Sequence, residues 1–264
     1  MRTPTRRASV QVRRIVVAAD ASAPGRAALD AAIRLAQRLE AELEGLYVED
    51  INLKRLAELP VAREFRFAGA ARDAAAIAED LRNEAMRLRR AFEEAASRAR
   101  VQASFRVAEG QIEHGILAEG GAADLLVIGL ERRRSLVPTR IAATTAAIAS
   151  RPMVLYDGSE GSARALALAS RLAADDAGAL TVVIRAATEA EALKLRRDAA
   201  RILAERDHGA RFRSAVRPSL FDLCRAVTAD GASALVIASD DELLEGGGFR
   251  QLLDDLMCPV IVVR

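Results

Sequence analysis

Short apolar runs alternate along this chain with longer stretches in which apolar residues recur every three or four positions. The first run lies in RRIVVAADAS at 13–22. A helical pattern from Pro24 to Glu40 follows, carried by Leu29, Ile33, Ala36 and Leu39, and then a second apolar run, LEGLYVED, at 43–50. A long charged helix is expected over about 71–99, with Ile77, Leu81, Ala85, Leu88 and Phe92 as its stripe. After it come a strand at 101–110, a shorter helix at 111–121 and the apolar strand DLLVIGL at 124–130.

The same order then begins again. PMVLYDGS at 152–159 opens it, a helix follows at 160–174, and ALTVVIRA at 179–186 is its second strand. A helix over about 188–207, a strand at 210–218, a helix at 219–230 and the strand ALVIASD at 234–240 complete the match. Both opening strands end in Asp-x-Ser and run into a helix. Strands that alternate with helices form a parallel sheet, because parallel neighbours need a long crossover, usually helical. The chain therefore reads as α/β, with two tandem doubly wound parallel-sheet domains: a basic N-terminal extension at 1–12, a first domain at 13–150 and a second at 151–264.

The two units differ at their ends. The second closes with CPVIVVR at 258–264, a fifth strand, whereas the first passes from a helix at about 139–150 straight into PMVLYDGS. The first domain is thus expected to lack a fifth strand and to have an open edge, covered by the other unit, a second chain or a helix, since bare edges invite pairing. It also carries an insertion, INLKRLAELPVAREFRFAGA at 51–70, too apolar for a linker and too long for an ordinary strand-to-helix loop.

Composition narrows the function. The 264 residues are 51% hydrophobic and 29% charged with a formal net charge of +2, so no overall field points to nucleic acid or a membrane surface. Trp is absent and aromatics make up 3%, which leaves no stacking platform for single strands. Cys224 and Cys258 are widely spaced without histidines at ligand spacing and read as core residues, so neither a metal nor a disulfide is expected. No apolar run reaches the length of a membrane span and no secretory segment follows the basic start; the expected location is the cytoplasm. His114 and His208 stand in no nucleophile motif, and there is no Walker loop, so no catalytic apparatus is visible and no enzyme is expected.

VVAADAS and VLYDGS at the first strands, GLYVED at the second, DLLVIG at the fourth and the terminal CPVIVVR together resemble the universal stress protein family, twice over from about residue 13. The resemblance implies a HUP/Rossmann-like sheet of strand order 3-2-1-4-5 with ligands at the carboxyl ends of strands one and four, which is also the topological switch point of an open parallel sheet. Many members of that family bind ATP there. By resemblance, an aspartate ends strand one near the adenosine, a strand-two residue lies against adenine, and the phosphates rest on a loop of pattern G-x-x-G-x9-G-[S/T], where glycines let backbone amides approach.

Both halves depart from that loop. In the first, Gly129 is followed by Arg132 at the second glycine and by Ala142 and Ala143 at the closing Gly-Ser; in the second, Ala238, Asp241 and Gln251 stand at the glycines, with Asp240, Asp241 and Glu242 placing negative charge where phosphates would lie. Gly246, Gly247 and Gly248 are out of register and read as a turn. The favoured expectation is a non-catalytic binding or regulatory protein of the stress response that does not take ATP in the family manner and has no cofactor. The alternative is an adenine-nucleotide sensor (ATP or AMP) with a non-standard site in domain 1 built from Asp20, Val48, Gly129, Arg132 and Arg140, the arginines holding phosphate bidentately. Ser22 and Ser159 read as helix caps, and Val48 and Val183 as matching strand-two positions. Partners are expected at sheet edges, as a homodimer or a pairing between domains, because fifth strands of the family often mediate dimers; an unidentified protein partner is also expected, and nucleic acid is not.

Overall fold

A computed structural model describes residues 12–20, 22–51, 74–110, 116–118, 123–129, 151–173, 178–206, 208–216, 218–244, 247–256 and 258–264. The N-terminal extension at 1–11, the insertion from residue 52 onward, most of the 111–121 helix and the 139–150 helix lie outside the described residues, as do Arg132, Arg140 and His114.

In chain order the elements are β1 (Arg14–Ala18), α1 (Ala23–Leu39), β2 (Glu42–Asp50), α2 (Ala74–Arg98), β3 (Ala103–Gly110), β4 (Leu125–Ile128), β5 (Pro152–Tyr156), α3 (Glu160–Leu172), β6 (Leu180–Ala186), α4 (Glu189–Ala204), β7 (Ala210–Val216), α5 (Leu220–Ala229), β8 (Ala234–Ala238), α6 (Gly247–Asp255) and β9 (Val260–Val263). The strands form one sheet of order β3-β2-β1-β4-β9-β8-β5-β6-β7. From its outer edge inward, the second half reads 3-2-1-4-5; the first half reads 3-2-1-4.

The strand next to β4 comes from the other half. β9 pairs in parallel with β8, from Leu235↔Val260 to Ala238↔Val263, and antiparallel with β4, from Leu125↔Val263 to Ile128↔Val260. Of the three covers expected for the open edge, the structure uses the other unit. Each residue of β9 is buried, as in a strand covered on both faces: Ile261 and Val263 enter one core layer, Val260 and Val262 the other. Because this one junction is antiparallel while the other pairs are parallel, the strands of the two halves run in opposite directions and their carboxyl ends point opposite ways.

Two apolar layers sandwich the sheet. One collects Ile15, Val17, Val154 and Tyr156 from the strands with Ala28 and Leu35 of α1, Phe92 of α2, Leu166 of α3 and Leu195 of α4. The other collects Val16, Leu46, Val48 and Met153 with Leu223 and Cys224 of α5 and Phe249 and Leu252 of α6. Cys224 is a core residue, and burial pushes its thiol up to about 11. Gly247, expected in a turn, instead opens α6. Phe249, Leu252, Leu253 and Leu256 recur at helical spacing and are all buried, which overcomes the roughly 1 kcal/mol that each helical glycine costs.

Candidate functional site

The strand ladders align the two halves residue by residue. On β1 and β2, Arg14 faces Glu42 and Ala18 faces Leu46; on β5 and β6, Met153 faces Thr181 and Tyr156 faces Ile184. The step is the same in both, so each ladder, carried on to its Asp-x-Ser, sets Asp20 across from Val48 and Asp157 across from Arg185. Arg185, not Val183, is therefore the counterpart of Val48. Further in, the backbone N–H of Arg14 donates to Asp124 at 3.0 Å and that of Arg151 to Ser233 at 3.1 Å, the same bond at the same place.

Asp-x-Ser builds the same turn twice. Ser22 N–H donates to Asp20 Oδ1 at 3.1 Å, and Gly25 N–H donates to Ser22 Oγ at 3.0 Å. Ser159 N–H donates to Asp157 Oδ1 at 2.9 Å, and Ser162 N–H donates to Ser159 Oγ at 3.0 Å. Both serines are thus helix caps, each stabilising by about 1 kcal/mol. Gly25 is required here, since a Cβ would stand 2.5 Å from the Asp20 carbonyl oxygen.

Beyond the turn the halves diverge. Arg185 reaches from β6 across the carboxyl ends of β5 and β8, donating to Asp157 Oδ2 at 2.8 Å and to Asp241 Oδ1 at 3.0 Å. Asp241 also accepts from Leu243 N–H at 2.9 Å, and its side chain is 4% exposed. Burial pushes the Asp157 carboxyl up, but bonds from Ser159 and Arg185 outweigh it and leave its pKa well below the usual carboxylate range. At the deeper Asp241, burial wins over Leu243 and Arg185, and the pKa rises. The adjoining Asp240 lays its carboxylate against Gly161 in the first turn of α3, where any Cβ would collide with it and where the helix dipole favours an anion. The switch point of the second half is therefore occupied by the chain's own guanidinium and three carboxylates.

The first half has no such bridge among its described residues. Val48 is buried in the layer opposite α1 and α2, and Gly129 is buried where β4 ends, one strand over from Asp20. Its charged row lies further back: Glu44 of β2, 4% exposed, accepts from Arg14 and, at 2.8 Å, from Arg106. Burial raises the Glu44 carboxyl, yet these two arginines bring it below its ordinary value. On the other face, α1, α2 and the end of β1 border a half-open cavity of about 270 Å³ lined by Val17, Leu29, Leu88 and Phe92 together with Asp20 and Glu84.

Asp20, Val48 and Gly129 thus all lie at the carboxyl ends of β1, β2 and β4, while Arg132 and Arg140 fall outside the described residues. Sequence reasoning missed Arg185. The signal was a lone charge at the end of the otherwise apolar TVVIRA, directly across the ladder from an aspartate.

A continuous, mostly parallel sheet with helices on both faces and switch points at opposite ends of its strands defines a doubly wound α/β protein with two candidate ligand positions. A profile of the universal stress protein family matches residues 11–152, more than half of the chain. The chain belongs to that family. A universal stress protein from Archaeoglobus fulgidus is similar over 97% of this chain and 97% of its own, with 12% identity and a TM-score of 0.61, which shows the shared fold. A family protein from Burkholderia pseudomallei matches 46% of this chain and 83% of its own at 25% identity and a TM-score of 0.37. A third structure, from Pseudomonas aeruginosa, aligns over 96% and 94% at 18% identity and a TM-score of 0.44. A comparison with curated proteins found no match. Among the described residues, no helix is long and apolar enough to cross a membrane.

Proposed function

We propose that the chain is a non-catalytic binding or regulatory protein of the stress response, working in the cytoplasm, that does not take ATP in the family manner. Family membership supports the stress-response role. The observation that carries the finer reading is the Asp157–Arg185–Asp241 bridge with Asp240 beside it. A guanidinium takes the strand-two position that would meet adenine, and the carboxylates lie where phosphates would approach. Two unit charges 4 Å apart interact by about 4 kcal/mol at an effective dielectric of 20, so each carboxylate left unneutralised opposes a triphosphate strongly. With β4 covered by β9, the edges left for a second copy are β3 and β7.

A second reading has its own support. Val48 stands where the second half has Arg185, so among the described residues no guanidinium from β2 crosses the carboxyl end of β1 beside Asp20 and Gly129. An adenine nucleotide there, its phosphates on Arg132 and Arg140, would make this half a sensor. Calorimetry with ATP on the whole chain separates the two readings. The first expects no saturable heat at micromolar ligand; micromolar binding lost on Arg132→Ala and Arg140→Ala establishes the second.

A further inference from the structure

The cavity in the first half has a counterpart in the second, and there it is filled. α2 and α4 are placed in common by a shared contact: Arg89 lies over Phe105 at 5.5 Å, and Arg196 over Phe212 at 5.4 Å. Counting from these arginines, Leu88 corresponds to Leu195 and Ala91 to Asp198; counting from the Asp-x-Ser turns, Val17 corresponds to Val154, Ala19 to Tyr156 and Leu29 to Leu166. Tyr156 is 3% exposed and belongs to the same apolar layer as Val154, Leu166 and Leu195. Burial first, and then the charge of Asp198 on α4, raises its phenol pKa. In the first half the ring is replaced by the methyl group of Ala19, and Ala19 and Ala91 both line the cavity.

Two substitutions in the first half add bulk nearby without closing it. Phe92 stands where the second half has Ala199, and Tyr47, on β2, where it has Ile184. Phe92 lines the cavity; Tyr47 turns its hydroxyl towards Glu84 at 3.4 Å. What remains is about 270 Å³ with a lining dominated by Val17, Leu29, Leu88, Ala91 and Phe92. An apolar cavity of about 150 Å³ already accepts benzene, so this one has room for a substituted ring.

We propose that the cavity between α1, α2 and the end of β1 is a binding site for a small aromatic molecule, a single ring with a polar substituent such as a phenol, seated where the second half inserts Tyr156. The site lies on the opposite face of the sheet from Val48 and does not depend on nucleotide binding. Ring faces meet Phe92 and the leucines, and the polar substituent points to the rim, where Asp20, Arg26, Glu84 and Arg87 stand.

The test uses 4-methylphenol, the tyrosine side chain detached, titrated into the whole chain and followed by calorimetry and by ligand-observed NMR. Saturable binding of one equivalent at millimolar concentration or better is expected. Ala19→Tyr supplies the ring covalently and is expected to weaken binding at least tenfold; Ala91→Leu narrows the same space and serves where the first variant does not fold. Tyr156→Ala, which opens the matching space in the second half, is expected to raise the stoichiometry to two. No saturable binding to the unaltered chain, or binding unchanged in whichever of Ala19→Tyr and Ala91→Leu folds, overturns the proposal.

Discussion

Replacing Ile261 by alanine is expected to weaken both halves of the molecule at once. Ile261 sits in the middle of β9, 2% exposed, facing Val127 of β4 on one side and Val236 of β8 on the other. All three side chains belong to one apolar layer. Truncating a buried isoleucine costs about 2–5 kcal/mol, from lost transfer energy and the cavity left behind. At roughly 2–4 °C per kcal/mol for a chain near this length, a loss of about 3 kcal/mol lowers Tm by roughly 6–12 °C. Thermal unfolding by circular dichroism gives the size of the loss; amide hydrogen exchange gives its location. The amides of β4, residues 125–128, should exchange faster in Ile261→Ala, although the substitution lies more than a hundred residues away. A lowered Tm with unchanged protection in β4 would refute the view that β9 completes the first half.

Arg185→Ala leaves Asp157 and the buried Asp241 without their cation. Breaking a buried pair costs about 3–5 kcal/mol, and the partial exposure of Arg185 and Asp157 reduces the expectation to about 2–3 kcal/mol in urea unfolding, part of it recovered by adding Asp241→Asn. The lowered pKa of Asp157 contributes stability that is present above the unfolded value near 4 and lost as pH falls through the lower folded value. Asp241, with its raised pKa, works in the opposite sense and gains on acidification. Unfolding free energies measured from pH 7 to pH 3 should therefore fall less steeply in Asp157→Asn than in the unaltered chain; equal slopes would remove Asp157 from the account. Gly161→Ala pushes aside only the far end of the exposed Asp240 side chain, a small cost set against the roughly 1 kcal/mol that Ala gains over Gly in a helix, so Tm by circular dichroism is expected to stay level or rise, and a clear drop would show that the Asp240 carboxylate is held in place.

Much of this architecture could be read from periodicity. IVVA and MVLY, each buried on both faces, stand out as central strands, and the stripe of Leu81, Ala85, Leu88 and Phe92 marks α2 to within a few residues. The repeat made visible that the first half has no fifth strand of its own among the described residues, and left three covers for the edge, the other unit among them. Which edge VIVV would choose depends on pairing between residues 125–128 and 260–263, a contact that no local pattern encodes. α6 was hidden by its glycines, because propensity at Gly247 and Gly248 argues against a helix that only burial of Phe249 and Leu252 supports. At the candidate site, Asp20, Val48 and Gly129 are expected from the family resemblance, and the structure sets them at the carboxyl ends of β1, β2 and β4. Arg185 is not, because its role comes from facing Asp157 across a ladder and Asp241 across another.

The most direct test of the filled switch point is photolabelling of the whole chain with 8-azido-ATP, with the modified peptides mapped by mass spectrometry. No labelling that unlabelled ATP can compete away is expected in peptides spanning residues 157–163, 183–187 or 238–251. Competable labelling of any of these, persisting at micromolar probe, would contradict it.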